Sequence, residues 1–199
     1  NQALAIRRAI RDRWGEGNTL EDLGSAYWWL HRYEKAIECS EQALAIHREV
    51  KNRAREGTTL NSLGVSYFAL SRAEKAVEYF EQGLAIAREV KDRASEATAL
   101  NGLGTSNGLL GRYEKAAAYF EQALAAYRAE KDRVSEGRTF NNLGIICRLL
   151  GRYEKGIEYF EQALVIARET KDRRTEGTTL TNLGLAYGSL GRHEKEIEF

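Results

Sequence analysis

The chain has 199 residues, 43% of them hydrophobic and 30% charged, and its 30 Lys and Arg almost cancel its 29 Asp and Glu. That length can bury a sizeable core, and the near-neutral balance argues against a polyanion binder, which needs a concentrated basic surface; no nucleic-acid partner is expected. No run approaches the ~18 apolar residues of a membrane span, and NQALAIRRAIRDR interleaves its charges too closely for the apolar part of a secretory leader, so no membrane partner and a cytoplasmic location are expected.

In chain order, residues 1–13 read as the last part of a helix, a partial repeat. Four full repeats follow at 14–52, 53–92, 93–132 and 133–172, then a truncated fifth at 173–199. The frame is set by Leu-Gly at 23–24, 63–64, 103–104, 143–144 and 183–184, a spacing of 40 without slippage, and by Glu-Lys at 34–35, 74–75, 114–115, 154–155 and 194–195. Residues 111–150 and 151–190 agree at 22 of 40 positions. A fixed period of this size is the signature of a solenoid, in which each unit buries its apolar face only against its neighbours.

Within a unit the apolar spacing is helical. Leu100, Leu103, Gly104 and Asn107 fall at i, i+3, i+4 and i+7, and Ala116, Phe120, Ala123 and Leu124 repeat the pattern. Helix A of the third repeat is expected at about 94–110 and helix B at about 113–131. Gly111 fits a left-handed residue closing the first, and Asp92 or Asp132 an N-cap. Where His31 or Ser71 stands in place of that glycine, the left-handed conformation costs ~1–2 kcal/mol, so those turns are expected to differ. The fold class is therefore all-α, an α-solenoid of antiparallel helix hairpins with about five repeats. The alternating charges of KDRASE and GRYEK read as a solvated helix face, and the zero proline count leaves no domain boundary to mark.

The constellation resembles the tetratricopeptide repeat family over essentially the whole chain. The family pattern of a large residue, Leu-Gly, Tyr, then Ala, Phe and Ala is met in the second repeat by Leu60, Leu63, Gly64, Tyr67, Ala76, Phe80 and Gly83. In the first it is met by Leu20, Leu23, Gly24, Tyr27, Ala36, Ser40 and Ala43. The resemblance implies a right-handed superhelix. The usual unit is shorter and ends in proline, where Arg48, Arg88, Arg128 and Arg168 stand here; the longer unit is similar to those of Pins-like polarity adaptors, kinesin light chains and bacterial arrays. Asn107 and Cys147 replace the usual Tyr, which implies looser packing in repeats three and four.

Catalytic chemistry finds little support, and no enzyme, metal or cofactor is expected. His31, His47 and His193 are expected at the surface, and none has a partner spaced for a triad or a metal site. Cys39 and Cys147, about three repeats apart, read as reduced thiols. Gly102, Gly104 and Gly108 imitate a phosphate loop but lie inside a helix without a preceding strand. Gly104 serves close helix packing, whereas Gly102 and Gly108 read as a soft spot, each costing ~1 kcal/mol relative to Ala.

The informative face lies opposite the core stripe of helix A, which in the family lines a concave groove. It carries a row of amides and hydroxyls, Asn61, Ser62, Asn101, Asn141, Asn142, Asn182 and Thr178. Beside it runs an apolar strip of Trp28, Trp29, Val65, Phe68, Leu109, Ile145 and Leu149. Amides both donate and accept, so such a row suits the backbone of an extended peptide, with the apolar strip supplying anchor pockets. A carboxylate clamp is not expected, since Arg138 alone fits its basic positions; with Arg148 it favours an acidic partner in the C-terminal half.

These readings predict a protein–protein interaction scaffold that binds a protein or peptide ligand. The alternative is the sensor or oligomerisation arm of a larger signalling NTPase or protease. A third expectation concerns self-association: the chain begins and ends midway through B helices that complement each other, so Ile197 and Phe199 would join the N-terminal half-helix of a second copy head to tail.

Overall fold

A computed structural model describes residues 2–192 and 194–195. Their helices are α1 (Gln2–Ala9), α2 (Arg13–Trp29), α3 (Tyr33–Glu49), α4 (Arg53–Ala69), α5 (Ala73–Val90), α6 (Arg93–Leu109), α7 (Tyr113–Ala129), α8 (Arg133–Leu149), α9 (Tyr153–Glu169) and α10 (Arg173–Ser189), and no strand occurs among the described residues. The A and B helices of the third repeat, α6 and α7, fall within two residues of their expected bounds. His193, Ile197 and Phe199, on which the head-to-tail expectation rests, lie outside the described residues.

The chain divides into two compact units, 1–106 and 107–199. In the first, α2 pairs with α3 and α4 with α5; in the second, α8 pairs with α9, and α9 with α10. The α4–α5 pair is antiparallel. A Cβ built on Gly57 would meet Ile86 and one on Gly64 would meet Phe80, so numbers rise along one helix as they fall along the other.

The same turn closes each of the ten described helices. A left-handed residue recurs every 20 residues, at Arg11, His31, Lys51, Ser71, Lys91, Gly111, Lys131, Gly151, Lys171 and Gly191, with φ of 56–58° for the non-glycines. The His31 and Ser71 turns therefore do not differ from the Gly111 turn, contrary to expectation. His31 donates its N–H to the Trp28 carbonyl and Arg32 to that of Tyr27, at 2.9 Å each, while Ser71 and Arg72 do the same at Phe68 and Tyr67. These paired bonds satisfy carbonyls that the helix end would otherwise strand, which offsets the cost of a Cβ in the left-handed region. The residue that follows then begins the next helix. Asp12, Asn52, Asp92, Asp132 and Asp172 each accept the backbone N–H three residues on, the N-capping expected for the two aspartates named from sequence.

Aromatic rings from the B helices fill the core. Phe80, Phe120 and Phe160 are each 2% exposed or less. In the second unit, Phe120 packs with Leu124, Phe140, Leu143 and Ile146, and Phe160 with Ile157, Leu183 and Tyr187. Asn107 and Cys147 are each 3% exposed, no more open than Tyr67 at 6% or Tyr187 at 7%, so the loss of the aromatic ring at those places leaves no wet core. Cys39 and Cys147 are free thiols, and burial pushes both up in pKa. Gly102 is buried, and a Cβ there would lie 2.4 Å from Cζ of Phe80. It is a packing position rather than a soft spot, because the ring takes the space a side chain would need.

The charged segments between repeats are only partly solvated. Side chains of Glu16, Glu56 and Glu136 are 7%, 8% and 5% exposed. Glu56 accepts Nε of Arg48 at 2.9 Å and Nη1 of Arg53 at 2.6 Å, and Arg53 continues to Glu89. Glu136 repeats this with Arg128, Arg133 and Glu169. Each buried carboxylate thus links the B helix of one repeat, through the next A helix, to the following B helix. Sign alternation could not separate these glutamates from their exposed neighbours, because the burial comes from helices 40 residues apart in sequence.

Candidate functional site

In the first unit, α2 and α4 lie side by side with the first turns of α6, and their side chains frame a groove of about 290 Å³. Trp28, Trp29 and Val65 form its apolar wall, and Ser25, Thr58, Ser62 and Thr98 face it with hydroxyls. These are the positions that the helical period places opposite the core stripe of helix A. Trp28 and Trp29 meet edge to face, ring centroids 5.2 Å apart. Trp29 is 75% exposed, while the Nε1 of Trp28 is buried without an acceptor. Phe68, also expected on this face, is half-buried and does not line the groove.

The amide row behaves differently from its sequence reading. Asn61 is buried and donates Nδ2 to the Ser95 carbonyl at 3.0 Å. In the second unit, the Oδ1 of Asn141 accepts from Thr179 Oγ1 at 3.2 Å and from Asn182 Nδ2 at 3.0 Å, all three side chains being buried. These amides tie one A helix to the next and are spent inside the protein. The geometry is shared by the first repeat, where Thr59 donates to Oε1 of Glu21 across the same 38-residue interval. Position 99 is an alanine, so the Oδ1 of Asn61 lacks that hydroxyl donor and is buried without a partner, while its Nδ2 bonds the Ser95 carbonyl. Asn101 and Asn142 are half-buried. Arg138 is exposed but engaged, with Nε and Nη2 at 3.0 and 2.9 Å from Oδ2 of Asp172. Arg148 is half-buried and its Nε has no acceptor. Leu149 and Leu185 of the same unit are 44% and 48% exposed.

The sequence reading missed His47. It is fully buried, not a surface residue, with Nε2 3.5 Å from Oε1 of Glu21. Gly17 makes its room, since a Cβ there would lie 2.8 Å from the imidazole Cε1. The repeat frame carried a faint signal, since the equivalent positions hold Ala87, Tyr127 and Ala167 and no charge, but the burial of the two alanines is seen only in the structure. Burial pushes the imidazole below its ordinary 6.5, against the raising effect of Glu21 and with the help of Arg55.

A depressed histidine makes folding sensitive to mild acid. Above pH 6.5 it is neutral folded and unfolded; as pH falls below 6.5 the unfolded chain takes the proton first and stability drops until the folded pKa is passed. All three tryptophans lie in the first unit, so their fluorescence reports its unfolding. The denaturation midpoint should fall between pH 7.5 and 5.5, with a slope of at most about 1.4 kcal/mol per pH unit. In His47→Ala that slope should vanish whatever the absolute stability.

Comparison with known proteins agrees with this architecture. The tetratricopeptide repeat family model matches residues 15–89, 55–129 and 135–199, while the curated proteins give no significant match. Among solved structures, BtubC (BKLC) from P. vanneervenii superposes with a TM-score of 0.85 at 22% identity, over 99% of this chain and 84% of that one. A signal transduction ATPase with numerous domains from Pyrococcus horikoshii, which carries a tetratricopeptide repeat sensor, gives 0.81 at 21% identity over 94% of this chain and 30% of its own. A Rap protein complexed with competence and sporulation factor gives 0.78 at 17% identity over 94% and 51%. At these identities the likeness concerns the fold, a solenoid of successive helix pairs. The family model spans all five Leu-Gly motifs, and by that match the chain belongs to the tetratricopeptide repeat family.

Proposed function

We propose that the chain is a protein-interaction scaffold, without catalysis of its own, that holds a peptide or helix of a partner on the inner faces of its A helices. The groove walled by Trp28, Trp29 and Val65 carries the proposal. A concave, mostly apolar slot with a few polar groups is what a peptide side chain needs for anchoring. In the second unit the corresponding face offers Asn142, Leu149 and Arg148, and the positive charge of Arg148, which is half-buried, suits an acidic group. Asn101 and Phe68 extend the same face of the first unit. Asn61, Asn141, Asn182 and Arg138 serve it from behind by fixing the A helices. The Rap protein, similar in fold, is complexed with competence and sporulation factor, which favours a peptide ligand here.

A displayed random-peptide library tests the groove. Ser62 is exposed and borders it, so Ser62→Trp fills the slot without touching the core. Peptides selected on the wild-type protein should lose binding to this variant by at least tenfold. Ligands that bind both equally would remove the groove from the function.

A second reading is favoured by the similarity to the sensor-bearing ATPase, of which this chain spans 30%. There the same face would report a bound ligand to an attached NTPase or protease, or support its oligomerisation. The full-length gene sequence decides it: an NTPase or protease domain in the same open reading frame supports the reading, and its absence ends it.

A further inference from the structure

The first repeat places an acid and two tryptophans in one slot, a combination found in no other repeat of this chain. Position 21 is Glu, where the later repeats have Asn61, Asn101, Asn141 and Thr181. Position 29 is Trp, against Ala69, Leu109, Leu149 and Ser189. Among the described residues Glu21 is the sole ionisable one lining the groove, with Arg55 3.2 Å and His47 3.5 Å from its carboxylate oxygens behind it. An electron-rich indole face, a carboxylate and hydroxyl acceptors make a site for a cation.

We propose that this groove is an arginine pocket. It admits the guanidinium of a basic residue in a peptide partner, stacked on the exposed face of Trp29 and paired with Glu21. The inference rests on the peptide-binding reading and adds the chemistry of the anchor. A planar guanidinium suits the slot better than an ammonium, because it lies flat on an indole and still directs N–H groups in the ring plane to the carboxylate and to Ser25 or Ser62. Glu21 is already oriented for the task. Oε1 accepts from Thr59, and Oε2 takes one Nη1 of Arg55 at 3.2 Å. Arg55 is half exposed and makes one hydrogen bond to the acid, so an incoming guanidinium shares the carboxylate or displaces Arg55 into solvent. A carboxylate retains lone pairs for this after accepting two bonds.

The probes are three synthetic pentapeptides, capped at both ends and differing only at the centre, which is arginine, its neutral isostere citrulline, or leucine. Binding is read from the indole N–H signals of Trp14, Trp28 and Trp29 in nitrogen-15 NMR spectra. The arginine peptide should shift Trp28 and Trp29 saturably, leave Trp14 unmoved and bind about tenfold more tightly than the citrulline peptide, as a charge-assisted pair requires. Glu21→Gln should erase that preference. Should Glu21→Gln fail to fold, Trp29→Ala, at a site 75% exposed, must weaken the arginine peptide equally. Equal binding of all three peptides overturns the arginine pocket while leaving the peptide groove standing. No shift at Trp28 or Trp29 with any peptide overturns both.

Discussion

Replacing Gly102 by alanine should destabilise the first unit by about 1–2 kcal/mol, although alanine is the better helix former by ~1 kcal/mol. The added Cβ would lie 2.4 Å from Cζ of Phe80, a buried ring with Gly64 also against it, whose own Cβ would come within 2.8 Å. Neither the ring nor the helix can yield without moving a packed neighbour, and overpacking of this kind costs ~1–3 kcal/mol. Phe80→Ala removes the ring and should cost about 3–5 kcal/mol through lost burial and the cavity left behind. The decisive measurement is the double variant. In the Phe80→Ala background, Gly102→Ala adds a methyl to a cavity in place of a clash, so its effect should change sign and become stabilising by ~1 kcal/mol. Denaturant unfolding read by tryptophan fluorescence gives all four values. A Gly102→Ala protein more stable than wild type would show that the helix simply shifts to accommodate the methyl.

Glu56→Ala and Glu136→Ala should each cost about 1–3 kcal/mol, far more than an ordinary surface charge. Both carboxylates are nearly buried, and each accepts two arginines. Removing the acid takes the carboxylate from Arg48 or Arg128, while Arg53 and Arg133 keep Glu89 and Glu169; hydrogen bonds to charged groups are worth ~1.5–3 kcal/mol. The arginines themselves are 44–54% exposed and recover part of the loss in water. Glu56→Gln keeps the shape and should fall between wild type and Ala. The acid profile separates these residues from His47. Burial pushes Glu56 and Glu136 up, but the hydrogen bonds from their arginines outweigh it and hold both below the ordinary 4.5. Their contribution is therefore complete above pH 4.5 and is lost as pH falls through the folded values. Wild type should show two steps of destabilisation, one below pH 6.5 from His47 and one below pH 4.5 from the carboxylates. Glu56→Ala should reduce the second step and leave the first unchanged, because Glu16 and Asp92 of the same unit are also held below their ordinary values and remain.

The arrangement of these residues explains why both effects concentrate at repeat junctions. Within one hairpin the contacts are those of any pair of antiparallel helices. Between hairpins, the Arg48–Glu56–Arg53–Glu89 chain and the Asn141–Thr179–Asn182 cluster carry directional bonds at set intervals. An apolar junction alone would tolerate sliding; bonds with fixed partners do not. The groove of the first unit depends on this. The Asn61–Ser95 bond holds α4 against the start of α6, and Thr59–Glu21 holds α2 against α4.

The period of 40, the helix pairs, the N-caps at Asp92 and Asp132 and the inward aromatic at Phe80 were all legible in the sequence. Each rests on a local regularity, the 3.6-residue turn or a side chain bonding a backbone group three residues away, and repetition multiplied the signal. The face bearing Trp28, Trp29 and Val65 was legible for the same reason, since direction around a helix follows from residue number. What the sequence could not determine was the use of each polar residue on that face. Asn61 and Asn101 hold the same place in the repeat, yet Asn61 is buried against the following A helix and Asn101 is half-buried. Glu56 looks like its exposed neighbours, and His47 like any polar residue of a solvated helix. Gly102 looks like a defect until Phe80 is placed against it. In every case the deciding contact comes from another helix, at a separation set by how closely neighbouring hairpins approach. That approach is a balance of ring volume, absent Cβ atoms and interhelical hydrogen bonds, and only the tertiary structure strikes it.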